Sequence, residues 1–342
     1  YFPKLSNDMQ LQKDRIQLYQ NQVFVTDNVE GIVPEFLTML KGVIDSPDIP
    51  LNVSRSYLQA DGNVKKISSY ITRKVADKLK SLFTNNREDF QNKWNDIKIV
   101  LEYGMLTDEK FYEKAGDFVL YPTTDGQYYT LSELKEAIKA NQTDKNDTLV
   151  VLYAQNKEQQ YTAIEEAKAK GYQVALLDSP IVSHLIQKLE EKNEKLTFAR
   201  VDAAPLSKLI QKDEPILAKH SEEEKNTLKA DIEKILPKEG YMVQIEDLDS
   251  DDTPFVINQP EFMRRMKEMS ATGGGGMFGA FPEMYHVVVN ANSPLADAIL
   301  AAPDEATKEK LIKQAFDLAR LSQGLLKGKE LSEFVKRNWE IC

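Results

Sequence analysis

Residues 148–180 read "TLVVLYAQNKEQQYTAIEEAKAKGYQVALLDSP", and the order of elements within them decides the fold class. "TLVVLYA" (148–154) is a short apolar run of strand composition. "QQYTAIEEAKAKG" has helical spacing and stops at Gly171, and "YQVALLD" (172–178) is a second strand. Ser179-Pro180 then opens a helix with Ile181, Leu185, Ile186 and Leu189 along one side, and "LTFARVD" follows as a third strand. Strands alternating with helices predict right-handed crossovers and a parallel sheet. A dinucleotide site often accompanies such a sheet. Here the turn after the first strand is Gln155-Asn156-Lys157, without the glycines that let backbone approach a pyrophosphate. A structural α/β module is the leading reading. A nucleotide or small-molecule site on the 148–201 sheet is the alternative.

Upstream, "RIQLYQNQVFVTDN" (15–28) reads as strand. "VPEFLTMLKGVID" reads as a helix, with Pro34 at its first position and Phe36, Leu37 and Leu40 on one stripe. "DIPLNVSRSYLQ" (48–59) places Arg55 and Gln59 four residues apart, on one face of a helix. By itself that is a surface pair. "VKKISSYITRKVADKLKSLF" is an amphipathic helix with a basic solvent face. "REDFQNKWNDIKIVLEYGM" continues the helical region with Phe90, Trp94, Ile97 and Leu101 periodic. Residues 60 to about 118 therefore form a helical module between two α/β pieces. Residues 1–15 are polar and start no recognisable domain, so the chain reads as a piece that begins inside a longer protein.

Downstream, Ser221 with Glu224 three residues on is a capping box. "IEDLDSDDTPFVI" reads as strand, loop, strand. Its Asp247, Asp249, Asp251 and Asp252 lack the turn glycine and distal glutamate of a calcium loop, which leaves a solvated acidic loop. Phe262, Met263, Met266 and Met269 recur at helical spacing, with Met277 and Phe278 beyond a "GGGG" connector (273–276). These side chains are either core or an adaptable apolar surface for varied partners. At the end, one helix carries Leu311, Ile312, Ala315, Phe316 and Ala319, and another carries Leu331, Phe334 and Val335. Two helices alone make a poor core. A symmetric partner completing a four-helix bundle is the natural solution.

Composition bounds the rest. The chain has 342 residues, 29% of them charged, and a formal net charge of -10, so a nucleic-acid partner is not expected. No apolar run approaches membrane-spanning length, so no membrane partner is expected. The single cysteine, Cys342, leaves no disulfide framework and fits a reducing, cytoplasmic setting. His184, His220 and His286 lack metal-ligand spacing, and no metal site is expected.

Residues 22–59, "QVFVTDNVEGIVPEFLTMLKGVIDSPDIPLNVSRSYLQ", resemble the middle-domain signature of the ninety-kilodalton heat-shock chaperone family. The likeness runs on through the basic helix at 64–84, "YTAIEEAKAKGYQVALLDSPI" and "NANSPLADAILAA", and is nearest to the bacterial branch. The resemblance implies an α/β chain, α+β overall. Residues 1–60 would end a large middle subdomain, 61–118 a helical connector, 119–212 a small α/β subdomain and 213–342 a C-terminal dimerisation domain. It implies a fragment of an ATP-dependent stress-response chaperone. Arg55 and Gln59 would reach the γ-phosphate of an ATP held with Mg2+ in an N-terminal domain outside this chain. A bidentate guanidinium suits charge shared over phosphate oxygens. The family's usual Glu-Met between those two residues is here Ser56-Tyr57, which removes a carboxylate neighbour of Arg55. The fragment alone would bind no nucleotide and would not be an enzyme. Non-native client proteins would meet Phe262, Met263, Met266, Met269, Met277 and Phe278. A homodimer would form through the two terminal helices.

Overall fold

The computed structural model describes residues 16–27, 29, 31–38, 40–47, 62–213, 216–272 and 284–339, with backbone only at 62, 63 and 269–272. Two compact units emerge. One holds the described residues up to Ala137 together with Ser179–Lys192. The other holds Ile138–Asp178 together with the described residues from Asn193 onward.

In the first unit, β1 (Ile16–Gln20) and β2 (Val23–Thr26) form an antiparallel hairpin. Its two turn residues, Asn21 and Gln22, both have positive φ (49° and 67°), the twist a two-residue hairpin favours. β3 (Gly42–Asp45) pairs in parallel with β1, giving the order β2-β1-β3. The helix expected over "VPEFLTMLKGVID" is a correction. Among the described residues of this stretch Glu35–Leu37 form a single 3-10 turn with Pro34 as its N-cap, and Val43 and Ile44 are strand residues registered on Gln17 and Leu18. Phe36, Leu37 and Leu40 are buried, so the apolar stripe was core, but not a helix.

The helical region consists of α1 (Gly62–Asn85), α2 (Arg87–Asn92), α3 (Trp94–Thr107) and α4 (Glu109–Ala115). The side chains of Asn86 and Asp108 cap α2 and α4 by accepting from the backbone N–H of Asp89 and Phe111. Their core is aromatic: Phe36 lies 4.6 Å from Phe111, and Phe118 meets both Phe111 and Phe90 edge-on. Gly104 admits this packing, because a Cβ there would lie 2.6 Å from Phe36 and 2.8 Å from Phe111. A two-stranded ladder, β4 (Tyr121–Pro122) with β5 (Tyr128–Tyr129), leads into α5 (Leu131–Gln142).

In the second unit, β6 (Leu149–Ala154) lies central, α6 spans Tyr161–Ala169 and β7 spans Val174–Leu176. The next helix in the chain, α7 (Val182–Lys192), belongs to the first unit, and β8 (Leu196–Arg200) returns to the sheet. All pairings are parallel, in the order β7-β6-β8, as the alternation at 148–201 predicts. Gly171, at φ +75°, closes α6. A short α8 (Leu206–Leu209) follows, and then α9 (Glu222–Ile235), opened by the expected capping box: Ser221 Oγ accepts from the Glu224 N–H and the Glu224 carboxylate accepts from the Ser221 N–H.

β9 (Tyr241–Glu246) and β10 (Phe255–Asn258) flank the acidic loop, and α10 spans Glu261–Thr272. β11 (Tyr285–Asn290) pairs in parallel with β9 and antiparallel with β10. Then come α11 (Pro294–Leu300), α12 (Glu305–Ser322) and α13 (Gly328–Trp339). Val243, Ile257, Val287 and Val289 from the sheet meet Leu228, Ile232, Ile299, Ile312 and Phe316 from the helices in one core. The fold is α/β in the 149–200 sheet and α+β beyond it.

Candidate functional site

Helix α10 buries an arginine and exposes a phenylalanine. Glu261, Arg264, Arg265 and Glu268 follow an i, i+3, i+4, i+7 pattern, which is one face. At the centre of that face Arg264 is only 4% exposed, with Glu261, Arg265 and Glu268 half-buried around it, while Phe262 is 72% exposed and Met263 and Met266 are half-buried. Arg264 Nη2 donates to the hydroxyl of Tyr153 at 2.7 Å and pairs with the carboxylates of Glu261 and Glu268. Arg265 donates to the Phe198 carbonyl at 2.7 Å and to Glu261 at 2.8 Å. Burial by itself would raise the Glu261 carboxyl and lower the Arg264 guanidinium. Their mutual hydrogen bonds and charge outweigh burial, so Glu261 titrates below the usual carboxylate range and Arg264 above its ordinary value. Burial pushes the Tyr153 hydroxyl up to about 12, so it stays a neutral partner.

Those contacts fall at a particular place in the sheet. Tyr153 and Arg200 are register partners at the carboxyl ends of β6 and β8. With β7 on the other side of β6, the crossovers diverge between β6 and β8, which is where open parallel sheets take ligands. Here the chain's own side chains occupy that crevice. The N–H groups of Gln155 and Asn156 both donate to Gln160 Oε1, at 2.8 and 3.1 Å, and Gln160 Nε2 donates to Asp202 at 2.7 Å. Asp202 in turn pairs with Arg200. The amides that would meet a phosphate are committed to Gln160, which weighs against the alternative reading of this sheet. Nothing in the spacing of the sequence marked Gln160 or Arg264 for these roles.

A second polar seam lies in the acidic loop, where Asp249, Ser250 and Asp251 are exposed as a solvated loop requires and Asp252 is not. Asp252 is 7% exposed and accepts from Lys170 at 2.7 Å and from Ser207; Lys170 also reaches Asp249 at 3.1 Å. Thr253 donates to Glu166 at 2.7 Å, and Lys225 to Asp247 at 2.6 Å. These carboxylates hold lysines and hydroxyls, the arrangement that buried charge requires.

The terminal helices present two different faces. Ile312, Ala315, Phe316 and Ala319 are buried in their own unit's core, with Leu311 packed partly buried against it. Phe334 is 8% exposed and Leu331 is half-buried. The exposed apolar side chains of these helices are Leu318, Leu321, Val335 and Trp339; of these, Val335 belongs to the residues expected at the dimer interface. Helix α12 is tied to α13 by Arg337 to Asp317 at 2.6 Å and by Arg320 to Glu330.

Arg55, Gln59, Met277 and Phe278 lie outside the described residues, as does the side chain of Met269. In the first unit an open groove of about 650 Å³ between α1 and α4 is lined by Lys65, Lys66, Arg73, Lys110 and Lys114 beside Tyr70. It realises the basic helix face that follows "SRSYLQ" in the sequence. Among the described residues no His, Cys, Asp or Glu cluster has a metal-binding arrangement, and no helix is long and apolar enough to cross a membrane.

Comparison with known proteins fits this architecture. The family described as Hsp90 protein matches residues 2–339. The chain is 47% identical to a Chaperone protein HtpG of Porphyromonas gingivalis strain W83, over 94% of the chain and 48% of that relative. It is 42% identical to a Chaperone protein htpG of Bacteroides fragilis strain YCH46, and 41% identical to one of Bacteroides thetaiotaomicron, over all of the chain and 60% of each relative. The chain belongs to the Hsp90 family of chaperones. Within the family it is of the bacterial HtpG type. It spans about half the length of the first of these relatives and 60% of the others.

Proposed function

We propose that the chain is the client-binding and dimerising part of an ATP-dependent, cytoplasmic stress-response chaperone, and that it supplies Arg55 to an ATPase site completed elsewhere in a longer protein. The observation that carries the reading is Phe262, standing into solvent beside two half-buried methionines on a helix whose Arg264 is buried. A flexible apolar surface of Met and Phe suits non-native proteins of varied sequence. The kinship with chaperones supports it.

ATP with Mg2+ would be held outside this chain, and its γ-phosphate is the group to be transferred to water. The contribution of this chain is charge. As the family resemblance implies, the Arg55 guanidinium would offer two parallel donors to γ-phosphate oxygens, and Gln59, four residues on, would offer a neutral donor. The domain scheme goes with this reading: the end of a large middle subdomain at 1–60, a helical connector at 61–118, a small α/β subdomain at 119–212 and a dimerisation domain at 213–342. The homodimer forms through the exposed apolar side chains of α12 and α13.

In the longer protein, Arg55→Ala lowers kcat by roughly 10³-fold with nucleotide Kd unchanged. A loss of affinity in proportion to the loss of rate would make Arg55 a ground-state ligand instead. The chain by itself turns over no ATP; intrinsic turnover by pure chain contradicts the assignment.

A further inference from the structure

We propose that Arg264 is a positioning residue that fixes the rotation of α10 about its own axis and so determines that Phe262 faces solvent. The inference rests on the client-binding reading of that helix. It starts from an oddity of burial, since arginine is almost never fully buried without partners. Arg264 sits at 4% exposure with an exposed Phe262 two residues away.

Two residues is about 200° of helical rotation, so Phe262 and Arg264 point to nearly opposite sides. Anchoring one therefore orients the other. The anchor is directional: a planar guanidinium has its donors in a fixed fork. Here one arm of the fork leaves the helix for the Tyr153 hydroxyl of β6, while Glu261 and Glu268, on α10 itself, hold the guanidinium in the orientation that reaches it. Arg265 adds a bond to the Phe198 carbonyl, a backbone atom of β8 that cannot rotate away. An apolar face would let the helix roll by a fraction of a turn at little cost, because dispersion contacts are not directional. An apolar anchor would also compete with Phe262, Met263 and Met266 for the same burial. The polar anchor leaves those side chains free for another protein. Its seat is the carboxyl end of β6 and β8, so the α/β module uses its ligand crevice to hold a helix.

Tyr153→Phe and Arg264→Lys test this in the 342-residue chain. Tyr153→Phe deletes only the hydroxyl. Arg264→Lys keeps the charge and loses the fork. Amide hydrogen exchange is read across 261–268 and, as an internal standard, across β9 and β11. Affinity is read for a permanently unfolded probe, reduced and carboxymethylated α-lactalbumin. Both variants are expected to speed exchange in α10 by about tenfold or more. Exchange in β9 and β11 should stay unchanged, and probe affinity should weaken several-fold. Unchanged exchange in α10, or an equal rise in α10 and the β9–β11 sheet, overturns the positioning role. Faster exchange in α10 alone with probe affinity unchanged sustains the role and overturns the client-binding reading instead.

Discussion

Arg264 Nη2 donates at 2.7 Å to the hydroxyl of Tyr153, a residue 111 positions earlier in the chain, and both side chains are buried. The bond joins the Met-bearing helix to the central strand of the parallel sheet, two segments that read as separate pieces in the sequence. A hydrogen bond to a charged donor in a dry site contributes more than one at the surface, and leaving either partner unpaired is costly. The second unit thus holds its parallel sheet and its C-terminal part together by ionic and polar contacts at two places, around Tyr153 and around Asp252.

At the second of these places, Lys170→Ala leaves Asp252 buried with Ser207 as its remaining partner. The expected loss is about 2 kcal/mol in urea unfolding, less than for a fully buried pair because Lys170 is itself 28% exposed. The double variant Lys170→Met with Asp252→Leu should recover most of it. A double variant no better than the single one would mean that the loop is held by something other than charge pairing.

Gly104 makes the opposite prediction from its helix. Glycine to alanine inside a helix ordinarily stabilises by about 1 kcal/mol. Here the added methyl meets rigid rings of Phe36 and Phe111 at under 3 Å, closer than real Cβ contacts come. Gly104→Ala should therefore destabilise the first unit by about 1–3 kcal/mol, read from the urea midpoint. A stabilised variant would show that the ring packing is looser than described.

What the sequence revealed and what it hid follow from the range of the forces involved. The alternation at 148–201, the stop at Gly171 and the capping box at Ser221 are local patterns, and each appears where expected. "VPEFLTMLKGVID" misled because Phe36, Leu37 and Leu40 fit a helical stripe, while the fate of Val43 and Ile44 depends on β1, more than twenty residues back. Periodicity likewise found the apolar stripe of α12 but not what covers it: Ile312 and Phe316 lie against Val243, Val287 and their neighbours. The acidic loop read as solvated because its counter-charges, Lys170 and Lys225, come from distant helices. Arg264 carries no mark in the sequence that sets it apart from any charged helix residue. Only tertiary structure shows that its side chain is buried against Tyr153.

Acid should loosen the start of α5. Arg87 holds the Glu133 carboxylate by two hydrogen bonds, of 2.6 and 2.7 Å, and lowers its pKa from 4.5 to about 2. A depressed carboxylate contributes stability that is fully present above the unfolded value. The contribution is lost as pH falls from about 4.5 through about 2. Glu133 is 41% exposed, so solvent screening limits the contribution to about 1 kcal/mol or less. Glu133→Gln should flatten the stability profile between those pH values and leave it unaltered in shape at neutral pH. An unchanged acid limb would place the titration elsewhere.

Two classes of substitution in the terminal helices should separate core from interface. Ile312→Ala creates a cavity and is expected to cost about 2–4 kcal/mol of stability without changing the oligomeric state. Leu321→Asp with Val335→Asp, at exposed positions, should leave circular dichroism unchanged and convert a dimer to a monomer in sedimentation at micromolar concentration. A monomeric parent chain, or a dimer that survives the double substitution, would remove this face from the interface.

The most direct measurement is suppression of aggregation. A thermally unfolding globular protein is followed by light scattering with the 342-residue chain at equimolar ratio, and then with Phe262→Ser and Met266→Ser combined. The account predicts that the chain suppresses scattering without nucleotide, and that the double variant, unaltered in its melting temperature, loses most of the effect. Suppression equal in both proteins, or absent from the parent chain, would contradict it.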